Sequence, residues 1–404
     1  MIHELTSSAS HQHLVHRFGL TEGLFKGVAL ASNISLTALI SLFPGLGADP
    51  ILASTSIHFF FAALLEMPTS FIAHRYGPHR SVLIGLILKF FATAIFIGAF
   101  WSAQLALTTY VLWFMVVEAF VDGLANAFIS GAWQSAYSAR YTESVSPEEK
   151  NLPGFFYQSA GRGLRFRLGI PVVLVGLCLA FPESIQFLVY VILVLRILVT
   201  LIVWRDLGWR EVGSVRDRSF VTQLNKQNRK DLIALVCESF VFLVATSYLP
   251  VKFYREVQSL NLLSGRMIWH TLFFVFYVLS TFYLTRRIDG EKRPKLLLGL
   301  CLAGLVILNI PYQSHFLLTL LGLVLMAPTA FLLQRLTTAR LIESIDKNSH
   351  LGWLGVAQAA AMVIFSFVSY FIIQHQYDGV RWYSLVCAIC VILSLGLKDT
   401  HAKD

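Results

Sequence analysis

The sequence predicts an all-α membrane protein of twelve transmembrane helices in two six-helix bundles. Three observations carry this. Of 404 residues, 56% are hydrophobic and only 14% charged. Apolar runs of membrane-spanning length recur along the whole chain. Lys and Arg gather in alternate connections between those runs. A soluble protein has about 25% charged residues, so too little polar surface remains here to coat a globule, and lipid must cover most of the outside.

A helix needs about 20 apolar residues to cross roughly 30 Å of hydrocarbon. Runs of this kind lie near 24–43, 51–72, 81–100, 105–130, 161–181, 185–204, 232–251, 267–285, 295–311, 316–334, 351–373 and 381–397. Turn chemistry separates them, in Pro44-Gly45-Leu46-Gly47, Tyr76-Gly77-Pro78, Pro182, Asp289-Gly290 and Asp378-Gly379. Residues 1–20, with His3, His11, His13 and His16, read as a solvated tail without a cleavable signal. Cys178, Cys237, Cys301, Cys387 and Cys390 all fall in apolar runs, as small core residues rather than metal ligands.

Orientation follows from the positive charges. With the N-terminus cytoplasmic, the inside segments hold 22 of the 32 Lys and Arg, and the outside segments hold only Lys252, Arg255, Arg266 and Arg381. Cytoplasmic loops carry such an excess, so both termini are expected inside. The same excess accounts for the net charge of +9 without nucleic acid. The charge-dense stretch 205–231 reads as a cytoplasmic linker between an N-terminal bundle, 1–204, and a C-terminal bundle, 232–404. A chain of two equivalent halves is the plan of many secondary transporters.

Span two ends in Glu66-Met67-Pro68-Thr69-Ser70-Phe71-Ile72-Ala73-His74-Arg75-Tyr76-Gly77-Pro78-His79-Arg80. This resembles the signature loop of the major facilitator superfamily, E-x-P-T-G-x-x-A-D-R-x-G-R-[RK], matching it at Glu66, Pro68, Thr69, Ala73, Arg75 and Gly77, with Arg80 keeping a positive charge nearby. Arg286 to Arg293 is a weaker echo at the equivalent place in the second half, and Ser130-Gly131-Ala132 also resembles bacterial members. The resemblance implies the major facilitator fold in a bacterial inner membrane and a cytoplasmic gate built on this loop. It also implies that spans one, four, seven and ten line a central cavity. Three positions depart from the pattern: Ser70 stands for Gly, His74 for Asp and Pro78 for a basic residue. An imidazole at the gate makes a weaker latch at neutral pH; the alternative is a loop that keeps only its turn and its charge. Span five reads Gly169-Ile170-Pro171 and then Gly176, without the exporter signature G-P-x-x-G-G.

Ionisable groups deep in a span need a partner, a wet cavity or a function. Glu118, Asp122 and Asn126 follow one another at four-residue intervals, so all three share a face of span four. At ~1.5 Å per residue from Leu105, Glu118 lies about 20 Å in and Asp122 about 26 Å. Two carboxylates one turn apart in a low-dielectric cavity do not both ionise easily, which suits a proton carrier. The competing reading pairs them with Lys89, Arg162, Arg165 or Arg167. Glu238 in span seven is expected to face the cavity, with Asn33 and Tyr248 as polar candidates to orient a substrate. Arg162 and Arg165 at the mouth of span five are either topogenic anchors or contacts for an anion.

These features predict a secondary transporter that moves a small organic molecule by alternating access, acting as a monomer in the bilayer with protons as coupling ion and no cofactor. The resemblance to the efflux branch favours export; proton-coupled uptake is the alternative. No nucleotide-binding loop G-x-x-x-x-G-K-[ST] and no H-E-x-x-H or G-x-S-x-G motif occurs, so neither an ATP-driven pump nor an enzyme is expected. The orientation is testable. In a background without native cysteines, cysteine tags replacing Val215 and Gly290 should react only from the cytoplasmic side and one replacing Gln258 only from outside. Labelling of position 258 from the cytoplasm would overturn the topology of the second half.

Overall fold

The computed structural model of the protein describes residues 12–29, 31–32, 49–105, 107–145, 151–180, 185–207, 224–249, 266–288, 293–309, 316–344, 350–375 and 379–399. Every described element is helical. In chain order they are α1 (12–29), α2 (Asp49–Tyr76), α3 (Pro78–Gln104), α4 (Thr108–Ile129), α5 (Ala132–Ser144), α6 (Leu152–Ala180) and α7 (Ile185–Leu207). The second half holds α8 (Lys226–Leu243), α9 (Arg266–Arg287), α10 (Pro294–Leu308), α11 (Phe316–Ser344), α12 (His350–His375) and α13 (Gly379–Asp399). Helix α8 runs on into one π turn, Val244–Tyr248. Among the described residues, six helices are long and apolar enough to cross a membrane, and the bent pair Ala53–Glu66 and Pro68–Tyr76 makes a seventh. Large apolar side chains such as Trp113, Leu317, Phe367 and Tyr370 point outward, as a lipid-facing surface requires.

Backbone chemistry sets the joints. Pro68 removes a helical hydrogen bond, and α2 bends there by 50°. Gly77, at φ 94°, makes the turn into α3, where Pro78 occupies the first helical position. Gly131, at φ 67°, breaks α4 from α5, yet Thr109–Glu143 remains one continuous apolar path.

The first helix differs from the expectation. It starts at residue 12, within the stretch read as a solvated tail, and Leu14, Val15 and Phe18 are buried. Gln12, His13 and His16 stay exposed on its other face. An amphipathic turn of this kind has a low average hydropathy, so a window tuned to apolar runs starts the span too late. Residues 33–48, the remainder of the expected span 24–43, lie outside the described residues. Helix α7 ends at Leu207 and α8 begins at Lys226, both within the range 205–231 marked as linker.

The halves meet tightly at the end of the bundle where α7 finishes and α8 starts. There Phe18, Leu83, Phe155 and Val203 of the first half join Leu235, Leu341, Ile342 and Leu354 of the second in one buried apolar cluster. Hydrogen bonds tie the same end. Asp206 accepts from Arg17 at 3.0 Å and from Tyr137 at 2.7 Å, and also from Arg140, so α1, α5 and α7 are held together. Across the halves, the Leu152 amide donates to the Glu343 carboxylate at 3.0 Å.

Within the first half, α1 and α6 touch backbone to backbone. A Cβ placed at Gly23 would lie 2.3 Å from the Gly163 carbonyl oxygen, one at Gly163 2.4 Å from the Gly19 oxygen, and one at Gly19 2.8 Å from the Ser159 oxygen. This is small-residue packing at four-residue spacing, the means by which helices approach closely in lipid. Gly163→Leu should therefore destabilise the protein by about 1–3 kcal/mol or more, seen as a lower melting temperature. Gly169→Ala, with open space around it, should melt like the parent.

Candidate functional site

Between the two halves lies a cavity of about 400 Å³. Among the described residues, nine ionisable side chains line it. Five are basic, Lys26, Lys89, Arg167, Arg196 and Arg335, three are the carboxylates Glu22, Glu118 and Asp122, and the ninth is His58. Phe25, Trp133, Phe242 and Phe331 contribute an aromatic wall. The cavity is closed toward the sealed end of the bundle, and its lining extends from there toward the opposite ends of α2, α3, α7 and α8.

Helix α4 presents Glu118, Asp122 and Asn126 to this space, as their spacing on one helix face demands. Their local chemistry differs. Lys89 donates to one oxygen of Asp122 at 2.5 Å, and His58 Nδ1 stands 3.1 Å from the other. Asn126 Nδ2 donates to His58 Nε2 at 2.5 Å. His58 thus bridges Asn126 and Asp122 through its two ring nitrogens. His58 reaches this place because Gly123 lets α4 lie against the α2 backbone; a Cβ at Gly123 would stand 2.5 Å from the His58 carbonyl oxygen. Glu118 has no direct ion pair among the described residues. It lies in the electrostatic field of Asp122, Lys89 and Arg196.

A second ion pair closes the cavity from below. Arg335 of α11 donates to Glu22 of α1, both buried, joining the halves through a charge-assisted bond. Two further links cross between them: Arg167 donates to the Tyr277 hydroxyl at 2.8 Å, and Ser366 to the Ser56 carbonyl at 3.1 Å. The π turn of α8 presents Thr246 and Ser247 to the same cavity; such turns recur at functional sites.

Several residues expected here lie elsewhere. Glu238 does not line the cavity; it is buried between α8 and α13, accepting from Ser394 at 3.0 Å. Its neighbour Ser239 lines the cavity instead, because one residue on a helix is about a 100° rotation. Tyr248 is likewise buried away from it, its ring 4.2 Å from that of Tyr383. Arg162 binds the carbonyl and side chain of Gln12, and Arg165 is exposed over the Phe166 ring; neither reaches the cavity, whereas Arg167 does. Asn33 lies outside the described residues. Lys26, Glu22, His58 and Arg335 are cavity residues that the sequence pattern does not single out.

The loop motif forms a separate site at the sealed end. Glu66 is fully buried and Ser70 nearly so, and both face Gly355 of α12, where a Cβ would stand 2.5 Å from Ser70 Oγ and 3.3 Å from Glu66 Cγ. The small residue that the motif lacks at Ser70 is supplied by the opposite helix. Thr69 donates to the Ala127 carbonyl at 2.8 Å, fixing α2 on α4. His74 and Arg80 are half-buried, and Arg75 is exposed over the Tyr76 ring. In the second-half echo, Arg286 and Arg287 close α9, and residues 289–292 lie outside the described residues.

No protein-family profile and no curated protein matches the sequence. Solved structures do. The chain is similar to a bacterial homologue of the iron transporter ferroportin in an outward-facing state, with a TM-score of 0.64 at 14% identity over 96% of this chain and 99% of that one. It is similar to the E. coli fucose:proton symporter, with a TM-score of 0.61 at 14% identity over 97% and 99%. A nucleoside transporter follows, with a TM-score of 0.59 at 11% identity over 95% and 98%. Likeness over nearly the whole length of both chains defines an integral, multi-pass membrane protein with the major facilitator fold.

The split between the two α4 carboxylates is testable by stability. Asp122→Asn or Lys89→Gln alone strands a buried charge and should cost about 3–5 kcal/mol, read as a lowered melting temperature. The double variant Lys89→Gln, Asp122→Asn should recover most of that loss, whereas Glu118→Gln should melt near the parent. Equal losses for Glu118→Gln and Asp122→Asn would mean that both carboxylates are paired.

Proposed function

We propose that the protein is a secondary active transporter of the major facilitator superfamily, with twelve spans, that carries a small organic molecule through the central cavity by alternating access coupled to protons. The observation that carries this reading is Glu118, a carboxylate with no direct ion pair among the described residues, in a cavity between the halves. One turn away Asp122 is neutralised by Lys89 and hydrogen-bonded by His58. The groups facing Glu118 are therefore Asp122 on its own helix, Lys89 on α3 and Arg196 on α7. Of the two carboxylates, Glu118 is the one that can gain and lose a proton without breaking a salt bridge among the described residues. The structural neighbours named as transporters support the same reading.

With the basic loops cytoplasmic, the sealed end is the cytoplasmic side. The cycle then breaks the Glu22–Arg335 pair and the contact of Glu66 and Ser70 with Gly355, so that the seal opens inward. Export is the direction favoured by the resemblance of the loop to the efflux branch. Proton-coupled uptake is the second reading, favoured by the likeness to a fucose:proton symporter.

Proteoliposomes loaded with a pH dye, screened with small organic solutes, test this function. At least one solute should move protons across the membrane, and the sign of that movement on a set gradient separates export from uptake. Glu118→Gln should abolish the proton movement while solute exchange at equal pH persists. A Glu118→Gln protein that retains the parent's pH-driven flux would remove Glu118 from the coupling role.

A further inference from the structure

We infer that the cavity is built to take an organic anion, whose carboxylate or phosphate group answers the unmatched positive charge of Arg196, Arg167 and Lys26. The inference rests on the transport reading of the same cavity and adds the class of substrate.

Charge balance is the first ground. Among the described residues, five Lys or Arg line the cavity against three carboxylates. Two of the carboxylates are already taken, Asp122 by Lys89 and Glu22 by Arg335. Glu118 is left, with Arg196 in its field, while Arg167 and Lys26 have no carboxylate partner among the described residues. A low-dielectric cavity does not hold such an excess of cations without an anion to complete it.

Unused donors are the second ground. Arg196 is only 5% exposed, and among the described residues its Nε and Nη1 have no hydrogen-bond partner, while Nη2 donates to Ser32 at 3.1 Å. Arg167 is 6% exposed with its Nε unpartnered. Buried donors are normally satisfied, and the Nε and Nη edge of a guanidinium is the fork that binds carboxylate or phosphate in two parallel bonds. Arg196 leaves Nε and Nη1 unused, and Nη2, which completes the fork with Nε, gives one of its two hydrogens to Ser32 and keeps the other.

The aromatic wall supplies the third ground. The Arg196 guanidinium and the Lys26 ammonium both lie 5.9 Å from the centroid of Phe25, which stacks on Trp133 at 5.2 Å. Arg167 lies 5.1 Å from the Phe331 centroid. Cations held over ring faces beside apolar surface suit a ligand with one charged end and an apolar body. The cavity volume of about 400 Å³ accommodates one such molecule.

Binding of defined probes to the purified full-length protein, read by thermal shift, tests the inference. Benzoate, phthalate and phenyl phosphate should raise the melting temperature, and the neutral benzamide and cationic benzylamine should not. Arg196→Gln should weaken anion binding by roughly tenfold or more, the effect of losing one partner of a buried charge pair. Should Arg196→Gln not fold, Lys26→Gln, at a half-buried position, should weaken binding several-fold. No shift with any anion, shifts with benzamide or benzylamine equal to those with benzoate, or unchanged affinity in the folded variant would each overturn the inference. Anions that bind but never move with a pH gradient would leave it standing and sink the transport reading. Movement of benzylamine on a pH gradient, with no anion bound, would do the reverse.

Discussion

A helical bundle coated by lipid can hold a charge in its interior only against an opposite charge, against water, or against a ligand. Among the described residues, the middle of this protein carries nine ionisable side chains, and the way they are matched organises the rest of the structure. The Lys89–Asp122 pair ties α3 to α4 within one half, and the Arg335–Glu22 pair ties α11 to α1 across the two. Breaking either pair strands a buried charge, so each is a discrete contact, made or lost. The groups left over, Glu118 with Arg196, Arg167 and Lys26, are those whose state can change during work. In this arrangement, matched pairs set position and unmatched groups set function.

Positioning depends on close helix approach as much as on charge. Lipid supplies no hydrophobic drive for helices to associate, so packing and hydrogen bonds must do it. Gly19, Gly23 and Gly163 let α1 and α6 touch along their backbones, which carries Lys26 and Arg167 to the same cavity. Gly123 plays the same part between α2 and α4, and so places His58 on Asp122. At the sealed end side chains of the two halves interdigitate, with Gly355 receiving Glu66 and Ser70. Contacts of this kind separate as a unit when one half rotates against the other, whereas the glycine contacts inside a half do not.

Much of this is legible in the sequence where the signal is a pattern of many residues. Apolar runs and the loop motif define the fold, because lipid imposes length and composition on every span. The face carrying Glu118, Asp122 and Asn126 is legible too, since four-residue spacing on a regular helix leaves no choice of side. Single polar residues without a repeat are not. Glu238 and Ser239 differ by one position and point about 100° apart, and hydropathy alone does not say which one faces the cavity. Tyr248 closes a π turn, whose extra residue shifts the helical register beyond it. Lys26 and Glu22 escape a hydropathy reading because the first helix starts in an amphipathic turn at residue 12. Apolar runs alone set both at a membrane edge rather than a full turn or more inside. His58 has no legible signal: its role comes from Gly123 on another helix.

The charge balance also fixes how a proton and an anion would act on one another. With all three described carboxylates ionised, the Lys and Arg side chains among the described lining residues still outnumber them by two. A proton on Glu118 removes a negative charge from the field of Arg196, so an anion meets less repulsion and an Arg196 less occupied by its neighbour. Coupling free energies are reciprocal: a bound anion in turn favours the proton on Glu118. Such positive linkage binds proton and anion together and releases them together, which is the requirement for movement in the same direction. Exchange in opposite directions needs the reverse, with protonation of Glu118 expelling the substrate, and a cationic ligand would supply that sign. On the proposed coupling through Glu118, an anionic ligand would therefore favour the uptake reading and a cationic one the export reading, with the scaffold common to both.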